Sequence, residues 1–391
     1  MTPRSSSESR FVVAVPARTN YYNDFARILH RHHALRLLAL GTRRGVEGVP
    51  AELTRLLPLY GALGYASAKL VGSYRAEAFR FGMLPLLDHW VKRQLQPGDH
   101  IISSYGYVNR SFAWVRERGG KTFIDAGNSH PEHYWNLIRE EHARWGCPLP
   151  PFPRGWYRRA VEMMPLVDYV LSPSSYVTRT FVERGFKPEQ ILRSIYTIDF
   201  TCFTPATTPR PANRPLTLIS TGSPSLRKGT PYLLDAFRTL RKSHPNARLL
   251  LTGPPHPSLE PLLGRWSDLP IEWFPSLPHP QLAEHLRSAD IFVLPSLEEG
   301  LVRTACEAMA CGLPVVLTSH TGANDLVTPG VNGEIVPIRN APAIVEAVER
   351  CFERLRRDGP PPEGSLRERL SYATFEREFV EQLRGLKLLP T

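Results

Sequence analysis

Short apolar runs alternate with helical stretches along this chain, and that alternation limits the fold more than any other feature. The first run is "FVVAV", and "LRLLALG", "HIISSYG", "KTFIDAG" and "YVLSPS" follow it. Helical patterns such as "RAEAFRFGMLPLLDHWVKRQL" lie between several of them. Strands that alternate with helices form a parallel sheet covered on both faces. The pattern then breaks at "CFTPATTPRPANRP", which holds four prolines and no apolar periodicity and reads as a linker. Beyond it the same grammar restarts with "LTLISTG", "ARLLLTG", "IEWFPS", "IFVLPS" and "PVVLTS". "GVNGEIVP" is expected to hold a tight Asn332-Gly333 turn. A last helical stretch, "RERLSYATFEREFVEQLRGL", follows the spacer "DGPPPEG".

The expected class is α/β, with two Rossmann-like doubly wound domains facing a cleft. A chain of 391 residues exceeds what one hydrophobic core usually organises. The expected boundaries are 1–200 for the first domain, 201–215 for the linker and 216–365 for the second. Residues 366–391 are expected to form a helix that packs back on the first domain. Ligands of such sheets bind outside the carboxyl ends of the strands.

A net charge of +11 suits an anionic partner, whether nucleic acid, an acidic membrane surface or a phosphorylated substrate; its other reading is an aid to solubility alone. The Lys and Arg residues are scattered, and no nucleic-acid partner is expected. Five cysteines form no CxxC pair and no metal-ligand spacing, which fits a reducing compartment. The amino-terminal apolar run is too short for a signal peptide, and no stretch reaches the ~20 apolar residues of a membrane span. The expected location is cytoplasmic, with peripheral contact at the inner face of the membrane. The candidate contact is "LLPLYGALGYASAKLVGSYR" at 56–75, flanked by Lys69 and Arg75; buried core is its other reading.

The stretch "EEGLVRTACEAMACG", residues 298–312, follows a strand and carries Glu299 and Glu307 eight positions apart. A helix starting near Leu301 would put the two carboxylates about 12 Å apart and within about 80° of one direction. Two carboxylates lining one groove suit a ligand with two separate sugar rings. The alternative is an ordinary turn residue and a solvated helix residue.

Residues Ala289–Pro337 resemble family 4 glycosyltransferases throughout: Pro-Ser, Glu-Gly, Glu-Ala-Met-Ala-x-Gly, Pro-Val-Val and Gly-x-Asn-Gly stand in order. The resemblance implies the GT-B fold. It also implies retaining transfer of a sugar from a nucleotide-diphosphate sugar to a hydroxyl on a glycan or lipid-linked acceptor, in cell-surface glycan or glycolipid synthesis. It gives Glu299 the donor sugar and a catalytic role, gives Glu307 the ribose, and gives the backbone at Gly300 and Leu301 the donor. "STGSPSLRKGTPYLLDAF" resembles the donor-phosphate segment, with the Gly222 turn and the cations Arg227 and Lys228. No metal and no cofactor are expected, and the nucleotide is of UDP or GDP type.

The chain departs from the pattern at Ser223, where an Arg is usual, and at Val302, where a second Gly is usual. "ARTNYYNDF" replaces a glycine-rich loop, and Thr197-Ile198-Asp199 replaces Gly-Val-Asp. His130 is the expected catalytic residue of the first domain, with His133 and Asp125 as competitors. Two other readings share the fold: a non-catalytic basic binding protein, and a sugar-nucleotide epimerase or phosphorylase.

Overall fold

The computed structural model describes residues 10–16, 20–41, 45–71, 79–149, 152–207 and 214–390. Its first sheet comprises β1 (Arg10–Val15), β2 (Leu35–Leu40), β3 (Thr54–Leu56), β4 (Asp99–Ser103), β5 (Thr122–Asp125), β6 (Tyr169–Ser172) and β7 (Ile191–Arg193). The second comprises β8 (Thr217–Ser220), β9 (Arg248–Thr252), β10 (Ile271–Phe274), β11 (Ile291–Leu294), β12 (Val315–Thr318) and β13 (Gly333–Val336). Strand order is β3-β2-β1-β4-β5-β6-β7 in one and β10-β9-β8-β11-β12-β13 in the other. Adjacent strands at both centres run parallel. Each order therefore reverses direction once, between β1 and β4 and between β8 and β11. Those two points are where a doubly wound sheet opens a crevice at its carboxyl edge.

The interior strands are nearly continuous runs of Val, Ile, Leu and Phe because both faces are covered. All four residues of β11 are buried, and so are all four of β12. β3, β7 and β13 were not legible as strands. The first two are three residues long with polar members, and all three lie at sheet edges, so the apolar pattern is weak there. The Asn332-Gly333 turn is also displaced. Gly333 is already paired with Val315 in β13, and the turn falls at Pro329-Gly330. There Val331 N donates to Thr328 O at 3.0 Å, with Gly330 at φ 78°. Proline followed by a left-handed glycine is the composition of a type II turn.

The helix Tyr372–Gly385 lies on the first sheet. Phe375, Phe379, Val380 and Leu383 share a core with Phe11 and Phe25. The Phe25 and Phe379 rings are 5.0 Å apart. Gln382 accepts from Arg193 N and donates to Arg193 O, clamping the edge strand β7.

A second bridge comes from the helix Pro131–Arg144. Its wholly buried Glu141 accepts from Tyr232 Oη, Arg339 Nε and Trp145 Nε1, each at 2.7 Å. Trp145 lies against Tyr232 and Trp266 of the second domain.

Within 56–75, residues Pro58–Val71 form a helix that exposes Leu59, Leu63 and Tyr65; residues 72–75, with Arg75, lie outside the described residues. So do 208–213 of the linker. No helix among the described residues is long and apolar enough to cross a membrane.

Phe379→Ala should lower the unfolding free energy by about 3–5 kcal/mol, the range for emptying a buried Phe site. Urea titration followed by far-UV circular dichroism measures it. An unchanged midpoint would mean that this helix is not part of the first core.

Candidate functional site

Both halves of the site come from loops that leave adjacent central strands at their carboxyl ends. After β8 the chain turns at Gly222, whose φ of 88° is left-handed. It then carries Arg227 and Lys228 to the start of the helix Thr230–Ser243. After β11 it runs through Glu298–Val302 to the helix Arg303–Ala310. The two loops are stitched by Leu297 N donating to Arg227 O at 2.8 Å and by Arg227 Nη1 donating to Glu298 O at 2.8 Å.

Glu299 is the focus. Its Oε1 lies 2.8 Å from Lys228 Nζ and 2.9 Å from Arg227 Nη1. Burial alone would raise its pKa, but the two cations hold it at about 2, so it is charged at any physiological pH. The structure thus brings together three expected site residues. Gly222 joins them, because a Cβ there would stand 3.0 Å from Lys228 Cε.

The neighbouring Glu298 faces the other way. It is wholly buried and accepts from Ser129 N at 2.7 Å and Asn128 Nδ2 at 3.0 Å, both on the first domain. Burial pushes its pKa up and Arg227 opposes that. Gly300 is needed here for room: a Cβ would stand 2.1 Å from Gly127 O. The two domains therefore meet backbone to backbone at 127–129 and 298–300. Leu301 is buried in the second core.

The helix begins at Arg303, two residues later than expected. Glu299 is in an extended bridge with Thr321 instead. No continuous helix therefore links Glu299 to Glu307, and the inference that both point into one groove from helical spacing does not hold. Glu307 is buried rather than solvated; burial raises its pKa, while Arg303 and His279 oppose the shift. Val302, standing where the family pattern has a glycine, takes a left-handed conformation, at φ 63° and ψ 76°. A β-branched residue there is strained.

Between the domains lies a cavity of about 390 Å³, walled by Asp125, Asn128 and several aromatic rings of the first domain and by Glu299–Arg303 of the second. His130 is not in this wall. It caps the helix Pro131–Arg144, its Nδ1 accepting from Glu132 N at 3.2 Å. Its ring packs edge-on against Phe181 at 5.1 Å and borders a different pocket with Arg184. Burial, with Arg184 nearby, pushes its pKa down to about 3, so it stays neutral. His133 packs on Tyr176 and His320, and its pKa is pushed down to about 4, chiefly by burial. Of the three first-domain candidates, the structure sets only Asp125 in the cavity with Glu299.

Sequence reasoning passed over Glu298, Asn128 and Arg303. The doubled "EE" at a strand end was a signal for the first: two adjacent carboxylates on extended backbone must face opposite sides. Among the described residues, no group of three or more His, Cys, Asp or Glu side chains is arranged to hold a metal.

Residues 215–354 match the family described as Glycosyl transferases group 1. That match spans most of the second domain. The putative colanic acid biosynthesis glycosyltransferase WcaL of Salmonella typhimurium is 32% identical over 211 residues, 52% of this chain and 50% of that protein. The D-inositol 3-phosphate glycosyltransferase of an Arthrobacter species is 31% identical over 170 residues, 40% of each chain. The chain thus spans about half the length, or less, of these curated relatives. Among solved structures, Anabaena Alr3699/HepE in complex with UDP and glucose superposes with a TM-score of 0.65 at 14% identity, over 97% of this chain and 100% of that one. Sucrose-phosphate synthase from Thermosynechococcus elongatus gives 0.65 at 18%, over 97% and 99%. At such identities the likeness shows the fold, which is GT-B across both domains.

His130→Ala should cost about 1–2 kcal/mol of stability through the lost cap and leave nucleotide affinity unchanged. Thermal unfolding with and without UDP or GDP reads both. Loss of sugar transfer in a variant of intact stability would return His130 to the site.

Proposed function

We propose that this protein is a retaining glycosyltransferase that moves a sugar from a nucleotide-diphosphate sugar to a hydroxyl acceptor in polysaccharide or glycolipid synthesis. The observation that carries the reading is the pair Arg227 and Lys228 converging on Glu299 at the β8/β11 switch point. Two cations beside a helix start are a ready site for a diphosphate. Glu299 neutralises them. With a donor bound, the diphosphate takes the cations, and the Glu299 carboxylate turns to hydroxyls of the sugar.

Arg227 supplies the charge that Ser223 does not. The acceptor oxygen attacks the anomeric carbon as the bond from that carbon to the diphosphate oxygen breaks. The acceptor proton passes to the leaving diphosphate. Arg227 and Lys228 stabilise the charge that develops there, which is the main catalytic contribution. Glu307 holds the ribose, whose hydroxyls donate to its buried carboxylate. The names of the relatives support sugar transfer in polysaccharide synthesis. The GT-B neighbour Alr3699/HepE holds UDP, which supports a nucleotide donor.

Two outcomes follow. Lys228→Ala should weaken a nucleoside diphosphate by about 1.5–3 kcal/mol, whereas Glu299→Gln should bind it as well or better and lose transfer. Calorimetry separates them, and equal losses in both variants would refute the division of roles. Transfer should also survive EDTA, because the phosphate charge is met by side chains; abolition by EDTA with rescue by Mn²⁺ or Mg²⁺ would contradict this.

A further inference from the structure

The bridge made by Glu141 does more than join the domains, because of where it lands. Its Oε1 accepts from Tyr232 Oη at 2.7 Å, and Tyr232 stands in the first turn of the helix Thr230–Ser243. That helix start holds the segment with Arg227 and Lys228. Thr230 Oγ1 accepts from Ser225 N at 2.9 Å, and Ser225 Oγ accepts from Lys228 N at 3.1 Å. Tyr232 N and Leu233 N both donate to Gly229 O, at 3.0 and 3.2 Å, and Gly229 N donates to Leu226 O at 2.9 Å. Residues 225–233 are therefore one hydrogen-bonded unit, and a shift of the helix start moves both cations.

The grip on that unit is fixed from several sides. Glu141 Oε2 accepts from Arg339 Nε at 2.7 Å, and both Arg339 Nη atoms lie 3.3 Å from Glu140 Oε2. Arg339 has a left-handed backbone, at φ 61°. That conformation is uncommon for a residue with a Cβ and persists where the surroundings over-determine it. Just past the end of the helix Pro131–Arg144, Trp145 and Cys147 pack into a core of the second domain. The Arg265 guanidinium lies 5.4 Å over the Trp145 ring. Burial, and then the Glu141 carboxylate, push the pKa of the Tyr232 hydroxyl up, so it stays a donor. A carboxylate buried among three donors resists any shift of its partners, because each bond lost leaves the charge short of a donor.

We propose that Glu141 is a positioning residue for the donor diphosphate: through Tyr232 the first domain fixes the start of the helix Thr230–Ser243, and with it Arg227 and Lys228. The inference rests on the glycosyltransferase reading and adds to it a first-domain residue on which nucleotide affinity depends. Glu141 acts through Tyr232 and not on the ligand. Nucleotide affinity and domain contact are then coupled, and the coupling is reciprocal: a bound diphosphate strengthens the hold of Glu141 on the second domain.

The test uses two variants of the full chain. Glu141→Gln removes the charge with little change of shape, and Tyr232→Phe removes only the hydroxyl that joins the latch to the helix. Calorimetry measures the affinity for UDP and GDP, and mass spectrometry follows amide hydrogen exchange. For a nucleotide that the unmodified protein binds, affinity should fall by about tenfold in each variant, the scale of one lost hydrogen bond to a charged group. Exchange of the amides in 225–233 should quicken by a similar factor, while exchange in β8 and β11 stays the same. Unchanged affinity in Tyr232→Phe overturns the inference, whether or not Glu141→Gln folds. Exchange that quickens evenly through the chain would make the latch a matter of stability alone and also overturn it. Absence of UDP and GDP binding by the unmodified protein would instead count against the donor reading, and the exchange comparison would still show whether Glu141 holds the segment.

Discussion

One carboxylate shared by two cations organises this molecule. Glu299 draws Arg227 and Lys228 from the β8 loop onto the β11 loop, and the rest of the second domain serves to hold those loops in register. Two like charges held close together in a partly buried crevice would repel strongly without a counter-charge. Glu299 supplies that counter-charge and holds both cations in place.

The adjacent Glu298 extends the same network into the first domain. By accepting from Ser129 N and Asn128 Nδ2 it ties the loop after β5 to the loop after β11. Gly300 allows the backbones to close on each other. At some distance from this point, Glu141 performs a comparable task with Tyr232 and Arg339. Buried carboxylates with full sets of donors fix geometry more than they add stability. Here they fix where the carboxyl edges of two sheets meet, and hence the shape of the aromatic cavity between them.

Much of this was readable in the chain itself. Interior strands announce themselves because burial on both faces demands unbroken apolar runs, as in "IFVLPS" and "PVVLTS". Edge strands such as β3 and β7 carry no such demand and were missed. The pairing of Glu299 with Lys228 joins residues 71 positions apart, and only the resemblance to a family brought them together beforehand. His130 shows the limit of reasoning from position along a strand. Five residues beyond β5 the chain has already turned, so the His130 ring serves as a helix cap while Asp125, at the strand end proper, reaches the cavity. The assumed start of the helix at Leu301 failed for a local reason. Val302 takes a left-handed conformation that no rule of helix propensity would assign to a β-branched residue.

The central claim is that a diphosphate replaces Glu299 on the two cations. The most direct measurement is a crystal structure of the protein with a nucleoside diphosphate bound. The account predicts phosphate oxygens within hydrogen-bond distance of Arg227 and Lys228, and a Glu299 carboxylate released from Lys228. A diphosphate bound elsewhere, with the Glu299–Lys228 pair intact, would contradict it.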